Sequence, residues 1–301
     1  MASTARALVL EAEARFVAAN LYFGHGTDNA RDEAVFLIFH ALGLPFDCDD
    51  AALDAALPAG RVAAAERLVQ TRIRTRRPAA YLTQRMWFAG HEFFVDERVL
   101  IPRSPIAELI ADDFQPWRGA APVARILDIG TGSGCIAIAT ALAYPAARVD
   151  ATDISNAALA VAAHNVAHYQ LGARVHLHSA DLFPPAPPAP KSYDLIIANP
   201  PYVPASERED LPAEYLHEPA MALFADEDGL ALVRRILVNA ASYLNPEGLL
   251  VMDTGGSWPA VDRTFASLAF IWVELAHGGD GICVLRRPDL EKFARDSLGS
   301  R

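Results

Sequence analysis

Arg125-Ile126-Leu127-Asp128-Ile129-Gly130-Thr131-Gly132-Ser133-Gly134-Cys135-Ile136-Ala137-Ile138 is a short apolar run, three alternating glycines and a second apolar run. The first run is brief and rich in β-branched residues, which predicts a buried strand over 125–129. The second, over 135–143, carries helix-forming alanines and predicts a helix. Glycine at every second position lets the backbone turn sharply and keeps Cβ atoms out of a ligand's way. A strand that feeds a helix through such a turn is the first crossover of a doubly wound sheet, where ligands bind.

The same alternation continues downstream. Strands are expected at 147–151, 174–178, 193–198 and 248–252. Helices are expected at 156–170, 230–244 and 258–265, and a proline-rich loop at 184–190. The last two strands, 271–275 and 282–286, are joined through Gly278-Gly279-Asp280-Gly281, too short for a crossover, so they form an antiparallel hairpin. The pattern is that of an α/β fold, a mostly parallel sheet with helices on both faces.

Upstream the texture differs. Ser104 is placed to cap a helix with Pro105 at its first position. Residues 86–95 read as a β-hairpin turning at Ala89-Gly90, and Val99-Leu100-Ile101 runs extended into Pro102. The first 80 residues read as four helices. A stripe through Leu8, Ala12, Phe16 and Ala19 marks the first. Asp28 or Thr27 caps the second, which Gly43 and Pro45 stop. Asp49-Asp50 opens a third, ended by Pro58 and Gly60. The fourth runs to about Arg76.

The chain has 301 residues, 52% hydrophobic and 21% charged, a globular composition with enough length for a large core. Its cysteines, Cys48, Cys135 and Cys283, are far apart, which argues against a disulfide scaffold or zinc site and fits a reducing cytosol. Glu11 and Glu13 interrupt the apolar run a signal peptide needs, and the apolar stretch 34–46 is too short to span a bilayer. A cytoplasmic protein without membrane contact is therefore expected.

The net charge of −11 disfavours a protein that grips DNA through phosphates and suits a basic protein partner. Charge is unevenly spread: residues 1–60 carry three arginines against nine acids, and 61–85 seven arginines against Glu66. That arginine run is either a solvated helix face or a contact for RNA or an acidic surface.

Two motifs carry chemistry. The glycine loop reads G-x-G-x-G, lacks a Walker lysine and so is no P-loop. Asp153, at the end of the next strand, can accept both hydroxyls of a ribose. Asp181, next to Leu182 after the third strand, can accept from an exocyclic adenine amine. The second motif is Asn199-Pro200-Pro201-Tyr202, directly after the fourth parallel strand. Its prolines force an extended turn and leave the Asn199 side chain and the Pro200 carbonyl as two acceptors on one side. A planar amide or aromatic amine offers two N–H donors to such a pair. Holding both leaves the nitrogen lone pair out of plane, aimed at an electrophile, while Tyr202 supplies a flat face. His164 and His168 are four apart on a helix, but Asn165 stands where a zinc site of the His-Glu-x-x-His type needs glutamate, so no metal is expected.

Together these segments resemble a class I S-adenosylmethionine-dependent methyltransferase, and Asn-Pro-Pro-Tyr resembles the branch acting on amide or exocyclic amine nitrogens. The arrangement of helical region, hairpin and catalytic domain is similar to the protein glutamine N5-methyltransferases. Most specific are Arg77-Pro78-Ala79-Ala80-Tyr81-Leu82, Trp87-Phe88-Ala89-Gly90, Phe93-Phe94-Val95 and the tract from Val99 to Leu109. Release-factor-modifying members typically carry Arg-Pro followed by an acid, Thr and Glu. Arg103-Ser104-Pro105-Ile106 instead resembles the sister group that modifies large-subunit ribosomal protein three.

The resemblance implies a helical substrate-recognition domain (1–80), a β-hairpin linker (81–102) and a Rossmann-like, seven-stranded methyltransferase domain (103–301). It implies S-adenosylmethionine as cofactor, contacted by Asp128, Gly130, Thr131, Gly132, Gly134, Asp153, Asp181, Leu182 and Asn199. It implies Asn199, Pro200 and Tyr202 as catalytic, and the same three with Pro201 as the substrate contacts. Arg103 either joins them or pairs with an acid. Asp253-Thr254-Gly255 departs from the usual Glu-x-Gly at the fifth strand's end. Rival readings are a release-factor glutamine methyltransferase, a DNA adenine N6-methyltransferase, which would want a basic recognition domain, and a non-enzymatic ribosome-assembly binder, which would not need an intact cofactor loop.

Overall fold

The computed structural model describes residues 3–185, 193–226 and 229–299. Its N-terminal part is helical: α1 (Ala5–Ala18), α2 (Ala30–Leu42), α3 (Asp50–Asp54), α4 (Ala59–Thr75) and the short α5 (Ala79–Thr83). Thr4 caps α1, and the apolar stripe of Leu8, Ala12 and Phe16 packs on Leu37, Ile38 and Val69 to form a core of its own. The cap of α2 is Asn29, not Asp28 or Thr27: its side chain accepts from the Asp32 N–H at 2.9 Å, while Thr27 donates to Glu33. Helix α3 stops at Asp54, short of Pro58 and Gly60.

A hairpin of β1 (Arg85–Phe88) and β2 (His91–Phe94) follows. It turns at Ala89 and Gly90, both with positive φ, as a two-residue turn matched to strand twist requires. Pro105 lies just before α6 (Ile106–Ala111), not inside it.

The remaining elements are β3 (Arg125–Ile129), α7 (Cys135–Ala143), β4 (Arg148–Asp153), α8 (Asn156–His168), β5 (Val175–Ser179), β6 (Tyr193–Ala198), β7 (Val203–Pro204), α9 (Ala220–Leu223), β8 (Phe224–Ala225), α10 (Ala231–Asn239), β9 (Leu244–Asp253), α11 (Trp258–Thr264), β10 (Ile271–Trp272), β11 (Ile282–Arg286) and α12 (Arg287–Gly299). Seven strands form one sheet in the order β10-β11-β9-β6-β3-β4-β5. The five from β9 to β5 are mutually parallel, and β11 and β10 are antiparallel additions. Neighbouring strand residues alternate between two cores, Ile126, Leu195, Val251 and Val284 on one face and Leu127, Ile196, Leu250 and Leu285 on the other. Burial on both faces explains why these strands read as continuous apolar runs.

Three further expectations are corrected. The helix expected over 230–244 ends at Asn239 and gives way to a 3-10 turn before β9. Pairing near 271–275 covers only Ile271 and Trp272. A further helix, α12, follows the last strand. Of the proline-rich stretch, 186–190 lie outside the described residues. No helix among the described residues is long and apolar enough to cross a membrane.

Because β4 lies on one side of β3 and β6 on the other, the chain reverses direction across the sheet at β3. The glycine loop leaves β3 there, and Asn199-Pro200-Pro201-Tyr202 leaves the adjacent end of β6. This is where an open α/β sheet forms its crevice.

Candidate active site

Gly130, Gly132 and Gly134 all have positive φ. The loop they shape is tied down from below. Gly130 and Thr131 both donate to the Thr152 carbonyl at 2.9 Å, and Gly132 donates to Asp153 Oδ2 at 2.9 Å. With these N–H groups engaged inside the protein, the loop offers a ligand room more than donors. A Cβ on Gly132 would stand in open space, and one on Gly130 would come no closer than 4.0 Å to the Asn199 carbonyl.

The space above the loop is a cavity of about 370 Å³ lined by Gly130, Thr131, Gly132, Asp153, Asp181 and Leu182. That lies in the usual range of small-molecule sites, roughly 300–1,000 Å³. Asp153 accepts from Gly132 and, at 2.8 Å, from Ser155, leaving each carboxylate oxygen capacity for another donor. Asp181 is half exposed and pairs through Oδ2 with Arg235 at 2.8 Å. Leu182 accepts from the Thr152 hydroxyl through its carbonyl at 2.6 Å.

Asp128 and Gly134 stand behind this wall. Asp128 is fully buried, and its Oδ2 accepts from the Thr131 hydroxyl at 2.6 Å and from the Ala137 N–H at 3.1 Å. Burial pushes its carboxyl up to about 7 against those two hydrogen bonds, and Oδ1 has no hydrogen-bond partner among the described residues. A Cβ on Gly134 would meet that of Ala162 at 3.2 Å, so this glycine permits close packing of α7 on α8.

A second cavity of about 130 Å³ adjoins the first. Asn199, Pro200 and Pro201 line both, together with Leu100, Arg103 and Ala222, and so form part of the partition. The Asn199 side chain makes no hydrogen bond with a described residue. Tyr202 lines only the smaller cavity. Its ring lies where a Cβ on Gly255 would sit, 2.6 Å away, and its carbonyl accepts from Ser257 Oγ at 2.8 Å. Glycine at 255 is therefore what admits the ring. Burial first, then the charge of Asp253, raises the Tyr202 hydroxyl above its ordinary value, which keeps it neutral.

Arg103 borders both cavities and pairs with an acid: two of its nitrogens donate to the two oxygens of Glu218 at 2.6 and 2.8 Å. Burial opposes the Glu218 charge, but Arg103 and His25 outweigh it and hold the carboxyl at about 2. Glu218 and Tyr215, which also lines the smaller cavity, carry no local signal in the sequence, since residues 205–223 are short turns without periodicity. Asp253 accepts from Ser104 Oγ at 2.7 Å and from the Gly255 N–H at 2.9 Å, tying the start of α6 to the end of β9. Burial raises its carboxyl despite both bonds. No histidine lines either cavity. Among the described residues no group of three or more His, Cys, Asp or Glu is placed to hold a metal.

A seven-stranded sheet of this order, with a glycine loop and Asn-Pro-Pro-Tyr on one edge, defines a class I methyltransferase, whose methyl donor is S-adenosylmethionine. Residues 118–245 match the model of the methyltransferase small domain. Three relatives are named ribosomal protein uL3 glutamine methyltransferase. That of Bordetella pertussis is 47% identical over 95% of this chain and 96% of its own. That of Burkholderia pseudomallei is 45% identical over 97% of both, and one from Neisseria meningitidis 45% over 94% and 92%. The chain belongs to this family of uL3 glutamine methyltransferases. The fold is also shared by the catalytic domain of hMettl16, solved with an RNA hairpin, at a TM-score of 0.52 and 15% identity, over 76% of this chain and 82% of that one.

Proposed function

We propose that this chain methylates the side-chain amide nitrogen (N5) of a glutamine in ribosomal protein uL3, a protein partner met in the cytoplasm. The observation that carries the reading is the partition: Asn199, Pro200 and Pro201 face the large cavity on one side and the small cavity on the other. Bound in the larger cavity, S-adenosylmethionine supplies an electrophilic methyl group. Asp153 is proposed to hold its ribose hydroxyls, and Asp181 with Leu182 its adenine. Gly130, Thr131 and Gly132 leave it room. Asp128 and Gly134 support the loop from behind.

The smaller cavity takes the glutamine. Asn199 Oδ1 and the Pro200 carbonyl accept its two N–H groups, and Tyr202 gives the amide a face to lie on. An amide nitrogen is a weak nucleophile, because its lone pair is delocalised into the carbonyl. In-plane capture of both N–H groups leaves that lone pair out of plane and facing the methyl group in the larger cavity, and alignment of this kind can supply up to ~7–11 kcal/mol. No base is needed before attack, since the nitrogen becomes acidic only as the bond forms. Its proton then passes to an acceptor already in contact with it, Asn199, Pro200 or water. Arg103, locked on Glu218, shapes the wall of this cavity.

The division into a recognition region (1–80), a linker (81–102) and a catalytic domain (103–301) belongs to the same proposal. Of the seven arginines of 61–85, Arg61, Arg67 and Arg74 are exposed; Arg61 donates to the Leu42 carbonyl, which leaves Arg67 and Arg74 for ribosomal RNA. The test is a direct competition. The purified chain and labelled cofactor are given uL3, a release factor and duplex DNA, and the products are sequenced by mass spectrometry. One added methyl on a glutamine of uL3 is expected; label mainly in release factor or DNA replaces this reading with another.

A further inference from the structure

Most of the 61–85 arginine run is engaged inside the protein: Arg72, Arg76, Arg77 and Arg85 pair with carboxylates of the same chain, and Arg72 and Arg76 share one of them, Glu214. Arg72 is fully buried. It donates to Glu33 at 2.7 Å, to Glu214 at 3.3 Å and to the Tyr22 carbonyl at 3.0 Å. Arg76 donates to the same Glu214 oxygen at 3.2 Å and to the carbonyls of Ala19 and Asn20. Glu214 also accepts from the Tyr22 N–H at 3.1 Å. His217 donates from Nε2 to the Thr75 carbonyl at 2.9 Å. Glu218 takes Arg103 and, at 2.9 Å, the Ile101 N–H, and its Oε2 lies 3.4 Å from His25 Nε2.

The turn 213–218 is thus fastened to the end of α4 and to the 19–25 loop at three side chains. Tyr215 sits between the fastenings. Its ring lies 4.5 Å from that of His25 and 5.6 Å from the Arg103 guanidinium carbon, and it lines the smaller cavity. A 3-10 turn of five residues has little stability of its own, so the contacts it makes set its position.

We propose that the helical N-terminal region sets the shape of the acceptor cavity through this turn, with Glu214 and Glu218 as positioning residues that hold Tyr215 and Arg103 at its wall. The proposal rests on the acceptor reading of the smaller cavity. It gives the arginine run a role that neither cavity reveals: Arg72 and Arg76 are the anchor, and the acidic surface they meet is a segment that follows the Asn-Pro-Pro-Tyr turn.

Arg72 is a poor lever, because its loss leaves Glu33 buried without its cation and Glu214 with Arg76 alone. Arg76 is better, being 35% exposed at its side chain and leaving Arg72 on Glu214. In the full chain, Arg76→Met should raise amide hydrogen exchange over 213–218 about tenfold, with exchange over 128–136 unchanged. Turnover of the protein acceptor should fall about tenfold, as for a slightly misplaced reacting group, with the calorimetric affinity for S-adenosylhomocysteine unchanged. Arg76→Lys, which restores the charge, should recover most of both effects, and Glu218→Gln should reproduce the loss. Unchanged exchange over 213–218 in Arg76→Met overturns the proposal. So does exchange that rises equally over 128–136 with loss of S-adenosylhomocysteine binding, which marks a general structural role. If the parent chain methylates no glutamine, the acceptor reading fails separately, and the exchange pattern still decides whether the clamp exists.

Discussion

Asn199→Ala separates chemistry from stability more cleanly than any other change in the site. The Asn199 side chain makes no hydrogen bond with a described residue, so truncation removes no internal contact of that kind. The turn keeps its shape through Pro200 and Pro201, through Ser257 Oγ on the Tyr202 carbonyl at 2.8 Å, and through the ring of Tyr202 on Gly255. The unfolding free energy should therefore change by no more than about 0.5 kcal/mol, the scale of substitutions away from packing and buried networks. The cost in catalysis is much larger. One of two acceptors for the glutamine amide is gone, the amide can swing, and its lone pair leaves the attack line. Loss of one preorganised contact of this kind costs about 10²–10³ in rate, or ~2.7–4 kcal/mol. Asn199→Asp keeps an acceptor and the shape but adds charge beside a sulfonium, so it should bind cofactor and lose part of its turnover. The assay is single-turnover methyl transfer at saturating cofactor, with calorimetric cofactor affinity and thermal melting alongside. If Asn199→Ala transfers methyl within about threefold of the parent, under 1 kcal/mol, the amide clamp is wrong and the motif is only a rigid turn.

Asp153→Ala should weaken S-adenosylmethionine by about 1.5–3 kcal/mol, the worth of hydrogen bonds to a charged group, and calorimetry showing unchanged affinity removes Asp153 from the site. Burial pushes the folded Asp128 carboxyl up to about 7 from 3.8 for the free group, so the folded form holds the proton to higher pH. Its contribution to stability is complete below the lower value and is lost as pH rises through the upper one. The stability of Asp128→Asn relative to the parent should thus improve between about pH 4 and 8, by no more than a few kcal/mol; a pH-independent difference in denaturant melts refutes this. Arg72→Met leaves Glu33 and Glu214 buried without their shared cation and should cost about 3–5 kcal/mol of unfolding free energy, so a loss under about 1 kcal/mol would show that the network is not electrostatically coupled.

The central strands β3, β6 and β9 were readable because burial on both faces leaves apolar runs with glycine or proline close to their ends. Element ends were less readable where apolar spacing continues past the structural change. Ala240, Ala241 and Leu244 remain buried in helical rhythm after Asn239, yet the chain has already tightened into a 3-10 turn that delivers it to β9. Helix α12 escaped notice because its inward face rests on few residues, Leu290 and Phe293, amid charge. Within the site, the glycine loop and Asn-Pro-Pro-Tyr were visible as motifs because each acts through its own backbone. Spacing could not tell which of Asp128 and Asp153 reaches the cavity. Both lie in the last two residues of a strand, but Asp128 turns under the loop toward the Ala137 N–H, whereas Asp153 stands beside Gly132 on the cavity wall.

The arginine run shows why the rest stayed hidden. A local charge count registers that 61–85 is basic and 1–60 acidic, which invites the two to neutralise each other. Some of that happens, as Arg72 with Glu33. The partner that matters for the site lies 138 and 142 residues along the chain from Arg76 and Arg72. Arg103 finds Glu218 across 115 residues. No periodicity links such positions, because their meeting is decided by where the sheet places β6 and by how the helical region docks on the turns that follow. The burial of these groups also constrains the order of events. Arg72 satisfies only part of its hydrogen-bonding capacity with its own region, and Glu214 and Glu218 are all but inaccessible to solvent. Neither the helical region nor the turn over the acceptor cavity can bury its charges without the other. Docking of the two is therefore part of completing the cavity wall, and a substitution at the anchor should be felt at Tyr215 and Arg103 before it is felt in the glycine loop.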